Sequence, residues 1–266
     1  MILKRFFPLL FGIAAVVGGF SSCENIDETE RWEGPLPFEV RKNVLVEDFT
    51  GQKCLNCPLA SEEVHKLQES YGAEHVIAVA IHGGALSISK DKNKNGLATD
   101  EGNAYVSHWG IDAFPKGKID RGNTLDYQSW GGAVYTNLQK EAAVGIALTG
   151  NYNAETRMFT AQVSLKALEA VAGHLQLWLT ENNITALQSL PEGSIDRTYV
   201  HNHVFRQTVN GLWGDAVQVS AGEESVHTYE VEIPADYVAE NLNLVAFVYN
   251  DSGVLQVEQI SVNSKD

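Results

Sequence analysis

Two cysteines three positions apart, Cys54 and Cys57, constrain the fold of this chain more than any other feature. They follow the apolar run Val44–Phe49, which predicts a buried strand, and they precede Pro58–Tyr71, where apolar residues recur at helical spacing. A thiol at a helix N-terminus lies beside unpaired backbone N–H groups and the positive end of the helix dipole, which favour the thiolate. Because the thiolate is the species that attacks a disulfide, the pattern predicts a redox-capable loop between a strand and a helix.

The order of apolar runs predicts two kinds of architecture along the chain. The β-branched run Val76–His82 predicts a second strand, and the strand–helix–strand order predicts a parallel pair with a crossover helix. From Ala143 onward, about seven short alternating runs predict an antiparallel, immunoglobulin-like β-sandwich. The predicted fold class is therefore α/β plus all-β, with an α/β domain over residues 43–141 and a β-sandwich over residues 142–266.

The N-terminus predicts export from the cytoplasm. Lys4 and Arg5 form a short basic segment in front of the apolar run Phe6–Phe20. At 15 residues this run is too short for a membrane-spanning helix, which needs about 20, and it is typical of a signal peptide. We therefore predict a signal peptide over residues 1–22.

Cys23 is the predicted point of membrane attachment. The small residues before it resemble a bacterial lipobox, in which the cysteine is lipidated and becomes the new N-terminus. The alternative is an ordinary secretory signal that is cut near Ser22. Residues 23–42 are polar and acidic, which predicts a lipid-anchored tether, and acidic residues behind a lipidated cysteine resemble the surface-export signal of Bacteroidetes-type lipoproteins.

The charge of the chain restricts its partners. The formal net charge is −15, so the surface should repel nucleic acid and anionic lipid headgroups. We therefore expect no nucleic-acid partner, and we expect attachment to the membrane through lipid on Cys23 rather than through a basic patch.

The residues around the cysteine pair resemble those of thioredoxins. Asp48 lies six positions before Cys54, where thioredoxins hold a buried acid, and Phe49 matches the apolar residue that follows it. The resemblance implies a thioredoxin-like domain in which Cys54 attacks a substrate disulfide and Cys57 resolves the mixed disulfide. It also implies that Asp48 handles the proton of Cys57 and that no cofactor is needed.

A second part of the resemblance is the dipeptide Phe114-Pro115, which is followed by a strand-like run. It resembles the thioredoxin cis-proline loop, in which the backbone before the proline pairs with an extended substrate peptide. Lys53 stands where thioredoxins have Trp, and Leu55-Asn56 replaces Gly-Pro. Because the residues between the cysteines help to set the redox potential, the direction of any exchange stays open.

A broader resemblance covers nearly all of the chain beyond Cys23. Its residues are Glu47–Gln52 with Cys54, Cys57 and Pro58, then Phe114-Pro115 with Ile119-Asp120-Arg121, and Tyr199–Val204 with Leu212-Trp213-Gly214. They resemble the outer-membrane protein 28 family of Bacteroidetes. The resemblance implies a lipoprotein of the bacterial outer membrane with a thioredoxin-like domain and a β-rich C-terminal domain. The periplasmic and surface faces both stay open, with the surface favoured.

Two further groups of polar residues are candidate metal sites. Asp91, Asn93 and Asn95 resemble the start of a calcium loop, but the twelfth position is Gly102 rather than a bidentate Glu, so a solvated turn is favoured. His201 and His203 share one face of a strand without an evident third ligand, which favours a structural role. We therefore predict no metal.

Two functions remain open from the sequence. The first is thiol–disulfide exchange through Cys54 and Cys57, with exported proteins that carry disulfides as substrates. The alternative is a non-enzymatic surface binding or adhesion lipoprotein, in which Cys54–Cys57 is a structural disulfide and the partner is a surface ligand.

Overall fold

A computed structural model of the chain describes residues 41–90 and 95–263. The predicted signal peptide, Cys23, most of the predicted tether, and Asp91 and Asn93 of the calcium-like loop lie outside the described residues. In the described part of the chain, no helix is long and apolar enough to cross a membrane.

The described residues form mostly strands. The helices are α1 Cys57–Tyr71, α2 Asp100–His108 and α3 Trp130–Leu138, with short 3₁₀ turns at Tyr127–Ser129 and Ala239–Asn241. The strands are β1 Val44–Thr50, β2 Val76–His82, β3 Lys116–Ile119, β4 Thr124–Leu125, β5 Val144–Asn153, β6 Met158–Ala167, β7 Val171–Glu181, β8 Ile184–Ser189, β9 Ile195–His201, β10 Val204–Thr208, β11 Asp215–Val219, β12 Glu224–Glu232, β13 Leu242–Asn250 and β14 Gly253–Ser261.

The predicted strand–helix–strand unit is present. Strands β1 and β2 pair in parallel, starting at Val44 opposite Val76, and α1 connects them. Pro58 lies in the first turn of α1, where its missing N–H is not needed, and Gly72 ends the helix at a φ of 94°. Val64 and Leu67 are buried on the helix face that packs against Ala78 and its neighbours. The prediction of this unit is confirmed.

The predicted fold class is wrong. One sheet has the strand order β14-β13-β7-β10-β2-β1-β3-β4, with β11 paired to β7. Strand β10 pairs in parallel with β2, at Val204 opposite Ala80, and antiparallel with β7. Strands expected in a separate β-sandwich therefore continue the sheet of β1 and β2, and neither a helix-rich thioredoxin-like domain nor a separate immunoglobulin-like sandwich forms. The predicted residue ranges of the domains stay a prediction.

The hydrophobic core shows why these strands join. Trp178, Phe205 and Phe247 pack in one buried cluster with Leu45 and Ile77 of the first strands. Since apolar area drives association without regard to distance along the chain, a core shared by early and late strands favours one continuous sheet. The separate sheet β12-β6-β5 packs its inner face on a second cluster that includes residues of β7 and β13.

Replacing Gly117 with alanine should lower the free energy of unfolding by about 1–3 kcal/mol. A Cβ at this position of β3 would overlap the indole ring of Trp130, which is fully buried and cannot swing away. Urea unfolding measures the change. Gly132→Ala is the matched control, because a Cβ there meets nothing within 4 Å and α3 should gain about 0.5–1 kcal/mol. Equal effects of the two substitutions would contradict the overlap.

Candidate functional site

The cysteine pair forms a disulfide at the N-terminus of α1. Cys54 and Cys57 are joined with their Cα atoms 5.5 Å apart, and each residue is 2% exposed. The backbone N–H of Cys54 donates to the carbonyl of Gly51 at 3.0 Å, which closes the turn after β1. The loop itself faces solvent through the exposed side chains of Lys53 and Leu55, while both cysteines are buried.

A hairpin from the second half of the chain covers this disulfide. Among the described strands, β8 and β9 pair only with each other, and the amide of Gln188 in β8 donates to the carbonyl of Cys54 at 2.8 Å. The backbone N–H of Ser189 donates to the carbonyl of Gln52 at 2.8 Å. The fully buried side chain of Gln52 in turn donates to Asn95 and accepts from Leu97. These bonds hold the hairpin against the cysteine loop.

Asp48 lies in β1 and is 2% exposed. Its Oδ1 atom has no hydrogen-bond partner among the described residues, and burial raises the pKa of the carboxyl to about 8. A carboxyl with this pKa is mostly protonated at neutral pH. The structure thus confirms that Asp48 is buried, as the resemblance implied, while its role in proton transfer stays a prediction.

Asp48 and Cys57 line a cavity of about 260 Å³ between α1, β2 and β9, which we call the histidine cavity. Its lining combines polar side chains with small or apolar ones. The polar lining includes Asp48, Ser61, Glu62, His65, Gln68, His82, Gln188, Tyr199, His201, Asn202 and His203, and the remainder includes Cys57, Pro58, Val64, Ala78, Ala80 and Val200. The cavity is therefore a pocket with converging polar groups behind the disulfide.

The buried histidines of the cavity are neutral. Burial lowers the pKa of His82 to about 3, and it lowers those of His201 and His203 to about 4. The rings of His82 and His201 meet edge to face, with centroids 5.5 Å apart. His82 Nδ1 and His201 Nε2 have no hydrogen-bond partner among the described residues. Two imidazoles, each with one buried nitrogen that has no partner among the described residues, therefore line the same cavity as Asp48.

The structure places the other predicted site residues apart from the cavity. The Phe114–Pro115 peptide bond is cis, as the resemblance implied, and β3 follows it and pairs antiparallel with β1. The dipeptide thus lies at the same end of β1 as the disulfide, but neither residue is among the described residues that line the cavity. The roles predicted for Phe114 and Pro115 in binding a substrate peptide stay predictions.

Asn95 is the one described residue of the calcium-like triplet. Its side-chain amide donates to the carbonyl of Thr185 at 2.7 Å, so this side chain supports the hairpin. Within residues 41–90 and 95–263, no three His, Cys, Asp or Glu side chains are placed to hold a metal ion.

A buried cation lies on the opposite side of β1 and was not singled out from the sequence as a site. Arg121 contacts Glu47, whose Oε1 lies 3.6 Å from the Arg121 Nε atom. Five aromatic rings surround the guanidinium with centroids 3.8 to 6.0 Å from its central carbon, and they belong to Trp109, Trp178, Trp213, Phe247 and Tyr249. We call these five rings the aromatic enclosure of Arg121. Glu47, which pairs with the enclosed guanidinium, is 0% exposed.

In the sequence His82 is a candidate only as a further metal ligand beside His201 and His203, and its place beside Asp48 was not predicted. It ends β2 beside the end of β1, because Thr50 pairs with His82 in the parallel register. Ligand sites in α/β sheets form at the carboxyl ends of parallel strands, so the strand prediction already contained the signal.

Comparison with known proteins places the chain among the outer-membrane proteins of bacteria. Residues 102–266, more than half of the chain, match the family described as outer membrane protein Omp28. The chain belongs to the Omp28 family, which confirms the family and the outer-membrane location predicted from the sequence.

One solved structure has a fold similar to that of this chain. HBP35 of Porphyromonas gingivalis is 18% identical and superimposes with a TM-score of 0.69, over 85% of this chain and 77% of that one. A domain of the outer membrane lipoprotein Omp28 from Porphyromonas gingivalis is 25% identical over 47% of this chain and 92% of that one, with a TM-score of 0.34. No curated protein sequence matches the chain.

Proposed function

We propose that this chain is a non-enzymatic binding protein of the outer membrane, in which Cys54–Cys57 is a structural crosslink. The observation that carries the proposal is that both cysteines are 2% exposed beneath the hairpin of β8 and β9. Thiol–disulfide exchange requires a thiolate to approach one sulfur in line with the bond, so an enclosed disulfide reacts slowly. The crosslink ties Cys54 to Cys57, which lines the histidine cavity.

Attachment and partner belong to the same proposal. Lipid on Cys23 would tether the folded part of the chain to the outer membrane, and the acidic residues after Cys23 favour the surface face. The net charge of −15 favours a ligand that is not anionic. The partner is therefore a surface or periplasmic ligand rather than a substrate disulfide.

Thiol–disulfide exchange is the second candidate function, and one observation favours it. Asp48 and Cys57 line the same cavity, and a buried acid beside a resolving cysteine could take up its proton. For this function the hairpin would have to move away from Cys54 during each turnover.

The reactivity of the disulfide decides between the two functions. For a structural crosslink we expect a reduction potential below about −300 mV and slow reduction by dithiothreitol in the folded chain. Gln188→Ala removes the amide that holds the hairpin to Cys54, so we expect faster reduction than in the native chain. Gln218→Ala, at an exposed position of β11, is the matched control and should leave the rate unchanged.

The opposite result would favour the enzyme. A potential above about −230 mV, with reduction of the native chain as fast as that of Gln188→Ala, would mark a labile catalytic pair. The proposal of a structural crosslink would then be abandoned.

A further inference from the structure

We propose that the histidine cavity binds a small ligand that carries a primary ammonium group and a short apolar body. The inference rests on the proposed binding function and names the site and the chemical class of its ligand. Three buried side chains carry it, namely Asp48, His82 and His201, which are 2%, 2% and 6% exposed. Each lines the cavity, and each has a buried polar atom without a hydrogen-bond partner among the described residues.

The lining favours a cation with several donors. Two carboxyl groups, Asp48 and Glu62, line the cavity, and none of the described lining residues is Lys or Arg. A neutral imidazole accepts a hydrogen bond through one nitrogen, and a carboxylate accepts through both oxygens. An ammonium group has three donors and no acceptor, so it matches such a set of acceptors. Fixed positive charge lies only outside the described lining, on Lys66, which pairs with Glu62 at 2.9 Å, and on Arg206. Burial lowers the pKa of His82, and the charge of Arg206 lowers it further.

A metal ion fits the lining less well. The described part of the chain has no three His, Cys, Asp or Glu side chains placed to hold a metal ion together. His82 and His201 meet edge to face at 5.5 Å, an arrangement of packed rings rather than of two nitrogens directed at one point. A hydrogen-bonded organic cation needs only separate acceptors, which the cavity offers.

The volume and the apolar lining of the cavity limit the size and the polarity of the rest of the ligand. A cavity of about 150 Å³ holds benzene, so one of about 260 Å³ has room for roughly ten non-hydrogen atoms. Val64, Ala78 and Ala80 provide apolar surface for a short hydrocarbon chain. Ser61 and Asn202 are exposed at the cavity, so a ligand can enter between α1 and the end of β9.

Binding of an ammonium group should release a proton from Asp48. The carboxyl is mostly protonated at pH 7, and a cation beside it favours the carboxylate. With a pKa of about 8, the carboxyl of the free protein holds roughly 0.9 proton at pH 7. If the bound cation ionises this carboxyl almost completely, roughly 0.9 proton is released for each ligand that binds. The other titratable groups around the cavity are Glu62 and His65 on α1, His82 on β2, Tyr199 and His201 on β9, and His203.

The test titrates the full folded chain with n-butylammonium chloride at pH 7. Nuclear magnetic resonance follows the imidazole signals, and calorimetry in buffers of different ionisation enthalpy counts the protons released. We expect saturable shifts of the His82 and His201 signals and release of roughly 0.9 proton. Butanol has the same shape without charge, and tetramethylammonium has the charge without donors. Neither should produce these shifts.

Asp48→Asn is the decisive variant, because it keeps the shape of the side chain and removes the charge. We expect at least about tenfold weaker binding of butylammonium and no proton release. Glu155→Gln, at an exposed turn outside the cavity, is the matched control and should bind like the native chain. If Asp48→Asn does not fold, the comparison of butylammonium with butanol and the proton count in the native chain decide.

Three results would overturn the inference. They are equal shifts with butanol, saturation by Zn²⁺ without any response to butylammonium, and absence of saturable shifts up to high millimolar amine. The redox measurement on Cys54–Cys57 is independent of these titrations. A labile disulfide with amine binding would overturn only the proposed structural crosslink, and an inert disulfide without amine binding would overturn only the ligand class.

Discussion

Replacing Arg121 with methionine should lower the free energy of unfolding by about 3–5 kcal/mol. Glu47 is 0% exposed, and Arg121 is the nearest opposite charge that compensates for its burial. Burial already raises the pKa of Glu47, and the positive charges of Arg121 and Lys118 oppose that rise. Without the guanidinium the carboxylate must stay charged without its ion-pair partner or take up a proton, and both outcomes destabilise the folded state.

The aromatic enclosure adds to the effect of Arg121. The Tyr249 and Phe247 rings lie 3.8 and 4.7 Å from the guanidinium carbon, where each can contribute a favourable cation–π interaction. Methionine fills part of the same volume but carries no charge for the rings to stabilise. The loss therefore combines the ion pair and the ring contacts.

Chemical unfolding of three variants separates these contributions. The double variant Glu47→Gln with Arg121→Met removes both charges, so we expect it to recover a large part of the stability lost by Arg121→Met alone. Lys116→Met is the control for an exposed pair, since Lys116 contacts the exposed Asp126 at 2.7 Å and should change stability by about 0–1 kcal/mol. A loss below about 1 kcal/mol for Arg121→Met would show that the buried pair does not stabilise the fold.

The local parts of the fold could be predicted from the sequence. Apolar runs at Val44–Phe49 and Val76–His82, with helical spacing between them, led to the correct parallel pair and crossover helix. The pairing of distant strands could not be predicted, because alternation of apolar residues identifies a strand without identifying its partner. Val204 is placed beside Ala80 by a core that both strands share, and no local pattern in either strand encodes that contact.

For the candidate site too, only the residues close together in the sequence could be predicted. Cys54 and Cys57 were predicted from their spacing and Asp48 from the resemblance to thioredoxins, and the structure brings the three to one end of β1. The contact of the β8–β9 hairpin with the cysteine loop could not be predicted, because Gln188 lies 134 positions after Cys54. That distant contact changes the functional interpretation of the cysteine pair from an accessible loop to an enclosed crosslink.

Replacing Asp48 with asparagine should make the stability of the chain less sensitive to alkaline pH. Between pH 4 and pH 8 the variant should avoid a loss of unfolding free energy on the order of 5 kcal/mol that the native chain undergoes. In the native fold the pKa of Asp48 is about 8, whereas an Asp in an unfolded chain has a pKa of about 3.9. The folded state therefore binds one more proton than the unfolded state over this interval. The stability that Asp48 contributes is fully present below about pH 4 and is lost as the pH rises through about 8.

The measurement compares urea unfolding of the native chain and Asp48→Asn at pH 5, 7 and 9. Other buried groups, including His82 and His201, also titrate with pH, but they are present in both proteins and largely cancel in the difference. We expect the stability of Asp48→Asn relative to the native chain to increase by about 1.4 kcal/mol per pH unit until the native carboxyl ionises. Glu155 is exposed, so the unfolding free energy of Glu155→Gln should vary with pH in the same way as that of the native chain. Parallel curves for Asp48→Asn would mean that the carboxyl is already ionised at neutral pH, and the proton release expected on amine binding would then be absent as well.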